Sequence, residues 1–315
     1  MPVLPAAFSP ATVSRVALAN AVANGLIVVT GGAVRLTGSG LGCPTWPRCT
    51  ERSFVPTDEL AVHGVIEFGN RTLTGMVGLT AIAVLVAVFR SARRDLRPLA
   101  VWSFLGIPAQ ALLGGVTVLT ELNPWLVAAH FLVSAVLVAL TTTLWLRSRE
   151  PGVGRPLLRR PLELLVYGIA AVTAVVLVLG TVVTGAGPHS GDKNAADRMD
   201  FDPETVSQLH ADVVFLLVGL TVALLVALYA VDSPARLRNA ARDLVIVQLA
   251  QGLVGFVQYF TDLPVLLVLL HMLGAVLIAA FTARLVWAVR GPATDSPLDA
   301  PSRVEDEHHG HRAVR

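Results

Sequence analysis

The sequence predicts an all-α integral membrane protein whose eight transmembrane helices form two pseudo-symmetric four-helix bundles. Three observations predict it. Apolar residues make up 54% of the 315 residues and charged residues only 15%, with a mean hydropathy of +0.67, a balance that excludes an ordinary soluble globule. Arginines crowd alternate loops, and one stretch of the chain repeats another at fixed spacing.

Apolar segments of roughly 18 to 27 residues, enough to cross about 30 Å of hydrocarbon, run over 16–35, 63–89, 99–119, 124–146, 162–184, 205–231, 243–260 and 264–289. The first follows a short, weakly charged leader and is rich in Gly, Thr and Asn, with no small-residue cleavage site behind it. It reads as a retained helix rather than a signal peptide. Arg90, Arg93, Arg94 and Arg97 fall in the second loop, Arg147, Arg149, Arg155, Arg159 and Arg160 in the fourth, and Arg236, Arg238 and Arg242 in the sixth. The positive-inside rule makes those loops cytoplasmic and puts both termini inside a cell membrane. The turns at Glu121 and Asp262 carry no Lys or Arg. The loop from Gly185 to Glu204 sets Asp192, Asp197, Asp200 and Asp202 against Lys193 and Arg198. A net charge of +2 gives no argument for nucleic acid.

Gln110, Gly114, Thr120, Leu122 and His130 match Gln251, Gly255, Thr261, Leu263 and His271 at identical spacings, and Pro124 and Pro264 start the His-bearing helix each time. A second echo joins Thr30-Gly31-Gly32-Ala33-Val34 to Val183-Thr184-Gly185-Ala186-Gly187. Such self-similarity implies duplicated units. Because four helices separate each element from its copy, the units run parallel. The expected division is a leader over 1–15, a first half over 16–146, an Arg-rich linker over 147–161, a second half over 162–290, and a charged, Pro-containing tail over 291–315 that reads as disordered and cytoplasmic. His308, His309 and His311 in that tail read as solvated residues.

His63, His130, His210 and His271 each stand near the outer start of an apolar span. Polar groups within hydrocarbon are costly and usually functional. Zinc structural sites want four compact ligands, whereas imidazoles facing one another across a bundle suit the axial positions of haem iron, and an apolar cavity suits a porphyrin. His210 and His271 form the candidate pair in the second half, and His130 with His63 or a neighbour the pair in the first.

His63, Glu67, Asn70 and Arg71 fall on one stripe of the second helix. A carboxyl at that depth is costly to ionise unless a cation pairs with it, and it can serve chemistry or form a structural pair with Arg71. Ser207 stands where the repeat would put Glu67, so the halves differ in their chemical face. In the first outer loop, Gly-x-Gly steps have no flanking soluble strand and helix and are no dinucleotide fingerprint. Arg35 at the membrane surface is placed to pair with haem propionates. Cys43 and Cys49, the chain's two cysteines, lie on the oxidising side, where a disulfide is the favoured reading.

From about residue 16 to 290, the Thr-Gly-Gly-x-x-Arg-x-Thr-x-Ser-Gly-Leu loop, the Cys-Pro-x-Trp-Pro-x-Cys segment, the Ile66-Glu67-Phe68-Gly69-Asn70-Arg71 run and the later histidines resemble the haem A synthases of bacteria and mitochondria. The resemblance implies haem b between His210 and His271. It also implies haem O as substrate beside His130, Glu67 as the catalytic carboxylate, and Arg35 and Arg71 as cofactor-binding groups. The implied reaction converts the C8 methyl of haem O to a formyl group by successive hydroxylations, giving haem A for a terminal oxidase. A membrane farnesyltransferase supplying haem O is the implied partner. The sequence leaves a monomer and a homo-oligomer both open.

Two positions depart from the family pattern. Where many members carry Glu-x-x-His-Arg, this chain has Asn70 in place of the histidine, and the outer loop around His189 and Asp192 lacks a second cysteine pair. The repeat sets Asn70 against His210, while counting inward from a helix start near Asp58 puts His63 nearer the depth of His130. The second argument favours His63 as a ligand of the substrate iron or a hydrogen-bonding partner of its propionates. A di-haem membrane cytochrome b is the rival reading; a carboxyl in the first half alone, and Asn70 in place of a clean fourth ligand, weigh against it. A transporter ranks third, because matching Gly/Pro interruptions at mid-membrane are missing.

Overall fold

A computed structural model describes residues 8–189, 191–192 and 197–291. The tail from Pro292 with its three histidines, the first seven residues of the leader, and Lys193 lie outside the described residues. The described chain is all-helical: α1 (Pro10–Leu36), α2 (Ala61–Phe89), α3 (Arg97–Leu119), α4 (Pro124–Ser148), α5 (Arg160–Ala186), α6 (Pro203–Ala230), α7 (Ala235–Phe260) and α8 (Val265–Ala288). All eight are long and apolar enough to span a membrane.

Local chemistry sets several helix starts. Ser9, Asn123 and Asp202 cap α1, α4 and α6, their side chains accepting from the main-chain N–H of Thr12, Trp125 and Thr205, and proline in the first turn costs no helical hydrogen bond. The turns into α4 and α8 repeat one another: Glu121 and Leu122 have φ of 53° and 62°, Asp262 and Leu263 of 59° and 56°. The main correction to the expected elements is α7. It starts at Ala235 rather than near 243, so Arg236, Arg238 and Arg242 lie in its first turns instead of a loop. Their charges are accommodated there by the Trp287 ring, the Tyr229 ring and Asp243.

Helices α1 to α4 close into one ring, α5 to α8 into another, and the two rings meet along α1 and α4 against α8, with α4 also against α5. The packing of the two rings is uneven along their length. Val13, Ala17, Val84, Val88, Leu96, Ala100 and Leu144 form a dry core at the arginine-rich end of the first ring. Val166, Ile169, Leu224, Leu228, Leu237, Leu244 and Leu285 do the same in the second. A third cluster, Val28, Val138, Val276 and Ala279, seals the seam between rings. The histidines placed by the matching spacing of the repeat lie toward the opposite end and belong to neither cluster.

Candidate functional site

At that opposite end three helices present imidazoles in the same manner. The Cε1 corner of His130 on α4 faces Gly114 on α3, that of His210 on α6 faces Gly180 on α5, and that of His271 on α8 faces Gly255 on α7. A β-carbon at those glycines would stand 3.2, 3.3 and 3.1 Å from the ring. Glycine therefore lets each ring lie flush on the preceding helix. The Nδ1 atoms of all three are buried; those of His130 and His271 have no hydrogen-bond partner, while the His210 ring lies within hydrogen-bonding reach of the Val176 backbone. Buried polar atoms left unpaired are rare in finished proteins and point to an incomplete site. His271 also lies within electrostatic reach of His210.

The repeat read from the sequence recurs in the contacts. Gln110 Nε2 donates to the His130 carbonyl at 3.0 Å, and Gln251 Nε2 to the His271 carbonyl at 2.7 Å. Each glutamine fixes the backbone from which the imidazole hangs. Among the described residues no three His, Cys, Asp or Glu side chains converge as a metal cluster.

The first ring departs at α2. Asn70 lies opposite Gly31, whose β-carbon would come 3.8 Å from Nδ2, and its Oδ1 accepts from the Thr30 hydroxyl at 2.8 Å. It borders an apolar recess of about 430 Å³ between α1 and α2, lined also by Ala33, Val34, Ile66 and Leu73. His63 sits in the first turn of α2, exposed, with Nδ1 hydrogen-bonded to Ser39 Oγ at 2.8 Å. The glycine-facing position on α2 is thus occupied by Asn70, and His63 lies at the rim.

Glu67 is only 6% exposed and is held from both sides. Its Oε2 accepts from the main-chain N–H of Cys43, while Oε1 takes Arg71 Nη2 at 2.5 Å and Nε at 3.1 Å. Arg71 spends its remaining donors on the carbonyls of Cys43, Thr45 and Arg48. The Cys43–Cys49 disulfide forms, with Cα atoms 4.4 Å apart, and closes the loop that this ion pair reads. The loop docks tightly: a side chain at Gly42 would collide with the His63 carbonyl, and Trp46 covers Gly115 on α3. Arg35 ties the outer loops together, donating to the carbonyls of His189 at 2.7 Å and Thr184 at 3.1 Å.

Sequence reasoning passed over Asn20 and Asn24, buried in the middle of α1. Asn20 donates to Ser103 at 2.8 Å and accepts from Thr80 at 3.1 Å, and Asn24 donates back to Asn20. Their signal was in the sequence as amides inside an apolar span, which must find partners.

Fold and site define a polytopic membrane protein with paired helical rings and, at one end, glycine-seated histidines on α4, α6 and α8 whose Nδ1 atoms are buried. The chain belongs to the COX15-CtaA family, described as cytochrome oxidase assembly protein, whose model matches residues 14–283. It is 33% identical over 166 residues to a protein named heme A synthase from Bacillus cereus strain AH187, covering 50% of this chain and 53% of that one. Similar proteins of the same name come from Bacillus mycoides (32% over 166 residues, 50% and 53% covered) and Exiguobacterium (31% over 169 residues, 51% and 54% covered). The chain spans about half the length of the curated relatives it matches.

Proposed function

We propose that this protein is a haem A synthase, an oxidoreductase that converts the C8 methyl of haem O to a formyl group by successive hydroxylations. The observation that carries the reading is that three imidazoles, those of His130, His210 and His271, hang at one end of the two rings, each with its Cε1 corner seated on a glycine of the preceding helix. Imidazoles seated on glycines at one end of an apolar helical bundle fit a flat apolar macrocycle ligated through its iron. His210 and His271 would hold haem b, and when bound it supplies one-electron transfer.

The first ring takes the substrate. His130 is its iron ligand in this reading, and Asn70, an amide where an imidazole would otherwise stand, leaves the substrate iron with one protein nitrogen. A substrate that must leave as product gains from weaker ligation. His63, with Nδ1 committed to Ser39, serves the propionates rather than the iron. Glu67, fixed by Cys43 and Arg71, has both oxygens engaged and so works as a stationary negative charge. Such a preorganised charge stabilises a cationic centre developing at the oxidised carbon. Arg71 and Arg35 reach the reaction indirectly by holding the loops against the ring end, with Arg35 at propionate depth.

The arginine-rich end faces the cytoplasm in this reading, with both termini inside the cell membrane and the disulfide outside. A protohaem farnesyltransferase is the partner class that supplies haem O. Expression in a host that makes haem O but no haem A tests the function: haem A in the extracted pigments supports it, and unchanged haem O with full-length protein present refutes it.

A further inference from the structure

The recess between α1 and α2 opens to the outside of the first ring, since Val65, Gly69 and Leu73 on its α2 wall are all exposed. These residues lie within an apolar span, so the outside there is lipid. Ala33 and Val34 form the facing wall on α1. The volume of about 430 Å³ falls within the range of small-molecule sites, about 300 to 1,000 Å³. Its polar members are bonded to each other, the Thr30 hydroxyl donating to Asn70 Oδ1 at 2.8 Å. What the recess offers a ligand is therefore apolar wall, reaching to the residue that occupies the glycine-facing position of the ring.

Gly69 keeps this space open. A β-carbon there would meet no atom within 4 Å, and the residue lies inside α2, so neither a close approach nor a turn requires glycine at a position where it weakens the helix. The second ring differs at the matching place. The repeat that sets Asn70 against His210 sets Gly69 against Leu209, and the correspondence of the Gly31–Asn70 and Gly180–His210 pairs sets Ala33 against Val182. Leu209 is 48% exposed, so a leucine occupies in the second ring the face that Gly69 leaves bare in the first.

We propose that the α1–α2 recess seats the farnesyl chain of the substrate porphyrin, with Gly69 and Ala33 as the residues that make room for it. The proposal rests on the haem A synthase reading, in which the substrate haem O differs from the resident haem b by that isoprenoid chain. The porphyrins differ by an apolar chain, and the rings differ by an apolar groove open to lipid. Lipid tails are as apolar as the groove, so the chain is selected by close packing and available room rather than by transfer out of water. Filling the groove with a side chain should therefore exclude the farnesylated porphyrin and spare one without the chain.

Spectroscopic titration of the full chain in nanodiscs, already loaded with haem b, with haem O and separately with protohaem tests it. Gly69→Leu should weaken haem O binding about tenfold, the usual penalty for overfilling a packed space, and leave protohaem binding unchanged. Leucine favours helix and meets no neighbour at that position, so the variant should fold; Ala33→Leu supplies a second block from the opposite wall. Haem O affinity unchanged in both variants would give the recess to a lipid acyl chain and overturn the proposal. An equal fall for both porphyrins would assign the recess to the macrocycle, and absence of saturable haem O binding to the parent would leave no chain to seat; each overturns it as well. Haem A output is read separately: haem A formed by a parent whose haem O binding ignores Gly69 refutes the recess alone, whereas Gly69-dependent haem O binding without any haem A refutes the synthase and keeps the recess.

Discussion

The main-chain N–H of Cys43 donates to the Glu67 carboxylate, so the α2 carboxyl and the disulfide loop from Cys43 to Cys49 form one unit. Arg71 completes it by binding the same carboxylate and the Cys43 carbonyl. The proposed chemical group is thereby held by the part of the chain that also shapes the outer rim.

Glu67→Gln keeps the side-chain shape and one acceptor oxygen but removes the counter-charge of Arg71, so it should fold with a lowered thermal midpoint and keep haem b, while haem O or a hydroxylated intermediate accumulates. Glu67→Ala leaves the Arg71 guanidinium half-buried without its counter-charge and should cost about 3 kcal/mol. Pigment chromatography and thermal unfolding separate the two effects. Normal haem A output from the glutamine variant would reduce Glu67 to a structural ion pair.

Breaking the covalent closure with Cys49→Ser should lower stability by about 2 kcal/mol, the loop-closure entropy of so short a ring. It should also impair conversion, because Cys43 no longer presents its N–H to Glu67 in one place. Equal turnover in the oxidised and serine forms would uncouple the loop from the carboxylate.

His210→Ala and His271→Ala should each abolish a low-spin haem b spectrum, since six-coordinate iron needs both nitrogens. In the first ring, Asn70→His should shift the bound haem toward low spin by adding an imidazole opposite Gly31. His63→Ala should weaken binding of haem O without changing its spin state. A spin-state change in the His63 variant would return that residue to the iron.

Burial, then the Arg35 and Arg198 guanidiniums, hold His189 below its ordinary value of 6.5. The unfolded chain then binds more protons than the folded one in the window below 6.5, so this contribution is complete above that pH and is lost as pH falls through it. The thermal midpoint should drop more between about pH 7.5 and about pH 5.5 in the parent than in His189→Gln. Identical slopes would show that the His189 ring is not held by burial and the Arg35 and Arg198 charges.

The eight spans and the α3–α4 and α7–α8 repeat were legible because hydropathy, length and fixed spacing are local properties of the chain. The common register of Gln110 and Gln251 was legible too, but not the bonds they make to the histidine carbonyls. The start of α7 was not legible, since arginines lower local hydropathy whether they lie in a loop or in a helix where Arg236 meets Trp287 and Arg242 meets Asp243. The Cys43–Glu67 bond joins residues 24 apart and the glycine faces of the histidines lie on other helices. Such pairings depend on how helices pack, which periodicity does not encode. The ranking of His63 over Asn70 by depth overlooked that a loop serine takes the His63 ring at the rim.

The central claim is that one ring keeps a permanent porphyrin while the other handles a substrate porphyrin. Mass spectrometry of the pigments extracted from purified protein, expressed beside a haem O-forming farnesyltransferase, tests it most directly. The account predicts haem b together with haem O or haem A, the latter pair lost selectively in His130→Ala. Haem b alone, filling both rings of the unaltered protein, would contradict it and leave a di-haem cytochrome.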